Sequence, residues 1–135
     1  MIVFVYFACS TNVKYKTKKN YPQSNSKVKN SNNLIEQKGK IYHYNTSYYG
    51  KEFHGRLTSS GEKYDMYDFT CAHKKFPFGT KLLVTDEETG KSVTVRVNDR
   101  GPFKPNRQLD LSFAAAKKIG LIPYGVRKFR VQVIK

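Results

Sequence analysis

Two aspartates offer this 135-residue chain its most plainly available chemistry. Asp99 stands in Val95-Arg96-Val97-Asn98-Asp99-Arg100-Gly101-Pro102-Phe103, where an alternating apolar run enters a polar loop. Asp110 follows eleven positions later in Leu109-Asp110-Leu111-Ser112, just ahead of a helix-forming stretch. With no rigid element between them, both carboxyls can face one pocket at the rim of a β scaffold. Paired carboxyls suit acid/base cleavage of a sugar polymer, in which a proton is given to the bridging oxygen and another is taken up. Ordinary roles fit too, because Asn-Asp-Arg-Gly suits a turn and an Asp suits the approach to a helix. Spacing alone leaves both readings open.

The elements that must position these groups are mostly short strands. Ile41-Tyr42-His43-Tyr44 and Thr46-Ser47-Tyr48-Tyr49 read as strand, broken at Gly50. A loop with glycines at 55 and 61 follows, then Met66–His73 as a short helical turn or a strand. Lys81–Thr85 and Ser92–Val97 form a hairpin across a loop of about five residues. Ser112 can cap a short helix over 113–119, closed by Gly120 with two lysines in its last turn. Phe129–Ile134 is a final strand. Several short strands with one helix predict a small closed β-barrel.

Net charge is +15. Residues 1–40 hold eight lysines against Glu36, and residues 41–135 hold 17 Lys and Arg against nine acids. A polyanion is therefore an expected partner, and the charge does not choose among nucleic acid, acidic lipid and wall polymer. Nucleic-acid binding rests on charge alone and is not expected. The apolar run 2–8 is too short to span a bilayer. Ending at Ala8-Cys9, it looks like the end of a lipoprotein signal, with Cys9 as the lipidated residue. On that reading, residues 1–9 are a signal remnant, 10–40 a basic flexible linker, and 41–135 the folded domain. Cys71 reads as a small buried hydrophobe rather than a nucleophile paired with His73. His43, His54 and His73 are too widely spaced for a zinc motif, so no metal or other cofactor is expected.

Over about residues 43–134 the chain resembles the rare lipoprotein A family. The resemblance is carried by Thr46–Gly50, Phe53-His54-Gly55-Arg56-Leu57-Thr58, Gly61-Glu62-Lys63-Tyr64-Asp65-Met66, Ala72–Thr80 and the two aspartate motifs, all in the family's order. It implies a mainly β fold, a six-stranded double-psi β-barrel with one or two short helices. It also implies lytic cleavage of peptidoglycan between N-acetylmuramic acid and N-acetylglucosamine, leaving 1,6-anhydro ends on strands stripped of peptide. The positions matching the family's functional residues are His73 and Asp99. A wider likeness to expansins and inverting endoglucanases adds Asp110.

Taken with the resemblance, Asp99, Asp110 and His73 are the expected catalytic residues. Whichever aspartate acts as the acid should lie under aromatic cover from Tyr49 or Phe103, since burial must raise its pKa against Arg100 and the following helix N-terminus. His73 should hydrogen-bond that acid or hold the sugar. Tyr48, Tyr49, Phe53 and Phe103 could stack on sugar rings, and Arg56, Arg100 and Lys74 could meet carboxylates of muramic acid. The expected partners are glycan strands and, through Cys9, a membrane. The expected state is a monomer in the bacterial envelope. A second reading is a non-catalytic, expansin-like domain that binds or loosens wall polysaccharide.

Overall fold

The computed structural model describes residues 39–134, so Cys9, residues 1–9 and most of the 10–40 linker lie outside it. Six strands close a barrel: β1 (Ile41–Tyr48), β2 (Thr70–Ala72), β3 (Lys81–Thr85), β4 (Ser92–Asp99), β5 (Leu109–Leu111) and β6 (Arg127–Val133). Their order around the barrel is β1-β5-β2-β4-β3-β6. One helix, α1 (Phe113–Lys118), and single 3₁₀ turns at Lys51–Phe53 and Ile122–Tyr124 complete the fold. The β1–β5 and β2–β4 pairs are parallel and the other four antiparallel.

Alternation along the strands builds the interior. Leu82 and Val84, Val93, Val95 and Val97, Leu109 and Leu111, and Phe129, Val131 and Val133 all point inward and are buried. Each such side chain contributes roughly 1.5–3 kcal/mol on burial. Cys71 joins them as a fully buried free thiol, whose pKa burial pushes up, so it is no nucleophile.

β3 has its expected bounds, and α1 and the last strand fall within two residues of theirs. Three elements differ. The first strand runs unbroken through Asn45, because β6 pairs with it from Ile41 to Thr46. Leu109-Asp110-Leu111 is a strand, not merely the lead into a helix, being held between β1 and β2. β4 extends two residues past Val97.

Helix α1 starts at Ser112, whose hydroxyl accepts from the Ala115 N–H at 3.3 Å and donates to the Asp68 carbonyl. Ser112→Ala should cost about 1–2 kcal/mol. Chemical denaturation with an unchanged m-value is the check.

Candidate active site

A β-bulge decides which way Asp99 faces. Cys71 of β2 pairs with Val97 of β4, yet the next residue, Ala72, pairs with Asp99, so Asn98 is the extra residue. Strict alternation from Val93, Val95 and Val97 would send Asp99 into the apolar core. The bulge turns it out instead, as bulges beside active sites commonly re-aim a side chain. Asp110 faces outward by simple alternation between Leu109 and Leu111. It pairs with Ala72 on one side and Ser47 on the other.

Ser47, Asp110, Ala72 and Asp99 therefore form one row across β1, β5, β2 and β4. Paired residues on neighbouring strands share a face, so the two carboxyls project to the same side. Two strand spacings put their Cα atoms about 10 Å apart. As expected, no helix or strand intervenes along the chain between the two aspartates, since β4 ends at Asp99 and β5 begins at Leu109. Across the barrel β2 lies between them, with Ala72 fully buried.

The two acids sit in opposite electrostatic settings. Asp99 takes the Tyr49 hydroxyl at 2.7 Å, the Ser59 N–H at 2.8 Å and the Arg100 N–H at 2.8 Å. Burial raises its pKa, but these donors outweigh burial and hold the carboxyl below the usual Asp value. Asp110 is 7% exposed. It accepts from the Ser47 hydroxyl and meets Arg107 at 3.5 Å. Its pKa is raised by burial, with the charge of Asp99 adding to it and Ser47 and Arg107 only partly offsetting it. The helix N-terminus after Asp110 does not hold it ionised, since Ser112 takes the capping role. Tyr49 is the aromatic cover, and it lies on Asp99. Phe103, 80% exposed, covers neither aspartate.

His73 follows Ala72 and flanks the row. Its Nδ1 accepts from the N–H groups of Lys75 at 3.1 Å and Phe76 at 3.0 Å. The proton of the neutral ring is therefore on Nε2, a donor not spent on the backbone. The ring is sandwiched between Tyr44 and Phe76, at centroid distances of 5.5 and 4.0 Å. Burial, then Arg100, Lys75 and Lys74, push its pKa down to about 4. Its main-chain N–H donates to the Asp99 carbonyl, but its imidazole hydrogen-bonds neither carboxyl.

A histidine depressed this way stabilises the fold fully above the unfolded value near 6.5, and that stability is lost as pH falls toward 4. On the order of 2–3 kcal/mol should disappear over the window. Urea denaturation between pH 7 and 4 should show the loss, and His73→Gln should flatten the slope.

The remaining expected residues divide by placement. Phe53 packs on Tyr49, with Arg56 over its ring at 5.2 Å. Lys74 lines a groove of about 270 Å³ between Tyr44, His73 and the 106–108 segment. Tyr48 lies on the core side of β1, against Phe113 and the Ile122 carbonyl, which suits packing rather than sugar stacking. The Arg100 guanidinium is not on Asp99. It donates to the His73 and Phe76 carbonyls at 3.1 and 2.9 Å and stacks on Phe78. A larger groove of about 500 Å³ lies among Tyr67, Phe69, Phe113 and Lys118 and contains none of the expected residues.

Sequence reasoning missed four contributors. Ser47 meets Asp110, and its signal was its place in a strand and in the Thr46–Gly50 motif. Ser59 rides the tip of a small hairpin, tied by Gly55 to Tyr64 and Thr58 to Glu62, that folds onto Asp99. Glu62 pins this hairpin to the bulge, accepting from Arg96 at 2.7 and 2.9 Å and from Asn98 at 3.1 Å. Arg107 is the fourth. No group of three potential metal ligands converges among the described residues. His43 lies beside Glu87 and His54 beside Asp65.

A family model described as lytic transglycolase, a double-psi barrel domain, matches residues 42–133. The chain belongs to the lytic transglycolase family. A Vibrio cholerae protein named endolytic peptidoglycan transglycosylase RlpA is 56% identical over 88 residues, 65% of this chain and 34% of that protein. An Aquifex aeolicus protein, named as a probable one, is 47% identical over 89 residues, 66% of this chain and 39% of that protein. This lytic transglycolase chain thus spans about a third of the length of these curated relatives. Among solved structures, the Streptomyces papain inhibitor superposes with a TM-score of 0.59 at 20% identity, covering 72% of this chain and 96% of that one. A Clavibacter michiganensis expansin gives 0.56 at 19% identity, covering 70% and 50%. These two show the shared barrel. The family membership rests on the sequence match, which contains Asp99, Asp110 and His73.

Proposed function

We propose that this domain is an endolytic peptidoglycan transglycosylase of the bacterial cell envelope. The observation that carries the proposal is the row itself: two outward carboxyls flank Ala72, one biased toward the neutral form and the other toward the ionised form. Pairs of acids whose surroundings push their pKa values apart mark acid and base roles. The names of relatives at about half identity supply the substrate.

In this reading Asp110 gives its proton to the oxygen bridging N-acetylmuramic acid to N-acetylglucosamine, and the bond from that oxygen to C1 breaks. Asp99, ionised, faces the positive charge developing at C1. The 6-hydroxyl oxygen of the same muramic acid then closes on C1, and its proton returns to Asp110. One carboxyl serves as acid and then base, no water enters, and the enzyme ends as it began. The Nε2–H of neutral His73 donates to the sugar, and Phe53 and Tyr49 border its site. Cys9, lipidated after export, would tether the domain, with residues 10–40 as spacer.

The test is product analysis. Peptide-free glycan strands incubated with the full chain should yield 1,6-anhydro-muramic ends by mass spectrometry. Reducing muramic ends would replace this reading with hydrolysis. Binding without any cleavage would leave a wall-binding domain.

A further inference from the structure

Beside Asp110 the groove between Tyr44 and the 106–108 segment is lined by Lys74, Lys75 and Arg107 and by no acid. Its far wall is fixed: the Asn45 N–H donates to Gln108 Oε1 at 2.9 Å, and Asn45 Nδ2 donates to the Asn106 carbonyl at 3.0 Å. Arg107 stands in this fixed wall, yet it is poorly used. Its Nη2 reaches Asp110 Oδ2 only at 3.5 Å, the outer limit of a hydrogen bond. Its Nε is buried and, among the described residues, is the side-chain polar atom left with no hydrogen-bond partner. A buried donor without an acceptor is costly, and a guanidinium satisfies two donors at once on a carboxylate. A turn of Arg107 away from Asp110 and into the groove would present both nitrogens to an incoming anion, with Lys74 and Lys75 adding charge at the rim.

Resting on the function proposed above, we propose that Arg107 binds a carboxylate carried by the substrate, and that this binding withdraws it from Asp110. On muramic acid the carboxylate is the lactyl group, which is free on a bare strand and becomes an amide once a peptide is attached. The groove would thus read whether the sugar at the acid is unsubstituted. The reading is coupled to the chemistry. Arg107 is the cation that favours the ionised form of Asp110. Once it has moved to the substrate, Asp110 keeps its proton more firmly until the glycosidic oxygen takes it.

The experiment compares peptide-free strands with the same strands after carbodiimide conversion of their lactyl carboxylates to primary amides. Both cleavage and retention are measured. For the parent protein, amidation should lower kcat/KM by about 10- to 100-fold. Arg107→Gln should lose a similar factor on free strands and cleave the two substrates within about 2-fold of each other. Arg107→Lys, which keeps the charge without the fork, should recover part of the discrimination. Equal cleavage of both substrates by the parent overturns the inference and leaves the function standing, as does discrimination that survives in Arg107→Gln. If neither substrate is cleaved, the functional reading fails. Retention then decides the inference separately: equal retention of free and amidated strands overturns it, and preference for free strands lost in Arg107→Gln upholds it.

Discussion

Asp110→Asn is expected to fold as the parent does and to lose about 10³-fold in kcat, in the range that removal of a positioned acid produces. The side chain keeps its shape, and its amide oxygen still accepts from the Ser47 hydroxyl. What disappears is the proton. Asp110 lies almost wholly out of solvent between Ser47 and Ala72, so water cannot readily stand in for it. Stability at neutral pH should hold or rise, because the substitution removes a buried group whose charged form is disfavoured by desolvation. Circular dichroism and thermal unfolding, run beside single-turnover cleavage of peptide-free strands, separate the two effects. A variant that keeps a tenth or more of the parent rate would move the acid to another residue.

Asp99→Asn should also cut kcat/KM, by about 10²-fold, since an ionised group facing developing charge is lost. The more telling effect is on pH dependence. On the proposed division of roles, cleavage needs Asp110 protonated and Asp99 ionised. The rate should fall below the depressed pKa of Asp99 and above the raised pKa of Asp110. The negative charge of Asp99 is one of the causes that raise Asp110. Removing it should shift the alkaline limb of kcat/KM to lower pH and abolish the acid limb. An alkaline limb that stays in place would mean that the two carboxyls do not sense each other, and the division of roles would fail.

The parts of this molecule that sequence made legible are those with a clear period or a strong terminal signal. The alternation of Val93, Val95 and Val97 against Leu82 and Val84 gave the hairpin. Ser112, the alanines and Gly120 gave the helix. The type of barrel came from resemblance, because short strands at irregular spacing do not set their own order. β5 was hidden by its length: three residues show no period, and the capping signal just after them dominated the reading. The bulge was hidden for a different reason. Asn98 and Asp99 look like the start of a loop, and only pairing with Cys71 and Ala72 shows that one residue is extra. Without the bulge, alternation would direct Asp99 inward, so the feature that exposes the acid is the one least written in local pattern.

Side-chain destinations were likewise set by tertiary contacts. Adjacency suggested that Arg100 would hold Asp99 ionised. Its backbone N–H does contribute, but its guanidinium bridges two carbonyls of the 73–76 turn. The charge state of Asp99 is set instead by Ser59, forty residues earlier in the chain, and by Tyr49. The main chain of His73 meets Asp99, but its imidazole bonds the 75–76 backbone and not the acid it was expected to hold. The ring's neutrality comes from burial, from Arg100, which the fold brings beside it, and from the adjacent Lys74 and Lys75.

The most direct measurement of the central claim is a carboxyl ¹³C NMR titration of the domain with Asp99→Asn and Asp110→Asn used to assign the two signals. Asp110 should titrate above the ordinary Asp value near 3.9 and Asp99 below it. An Asp110 that titrates at or below Asp99 would contradict the account, because the barrel would then hold no proton ready for the glycosidic oxygen.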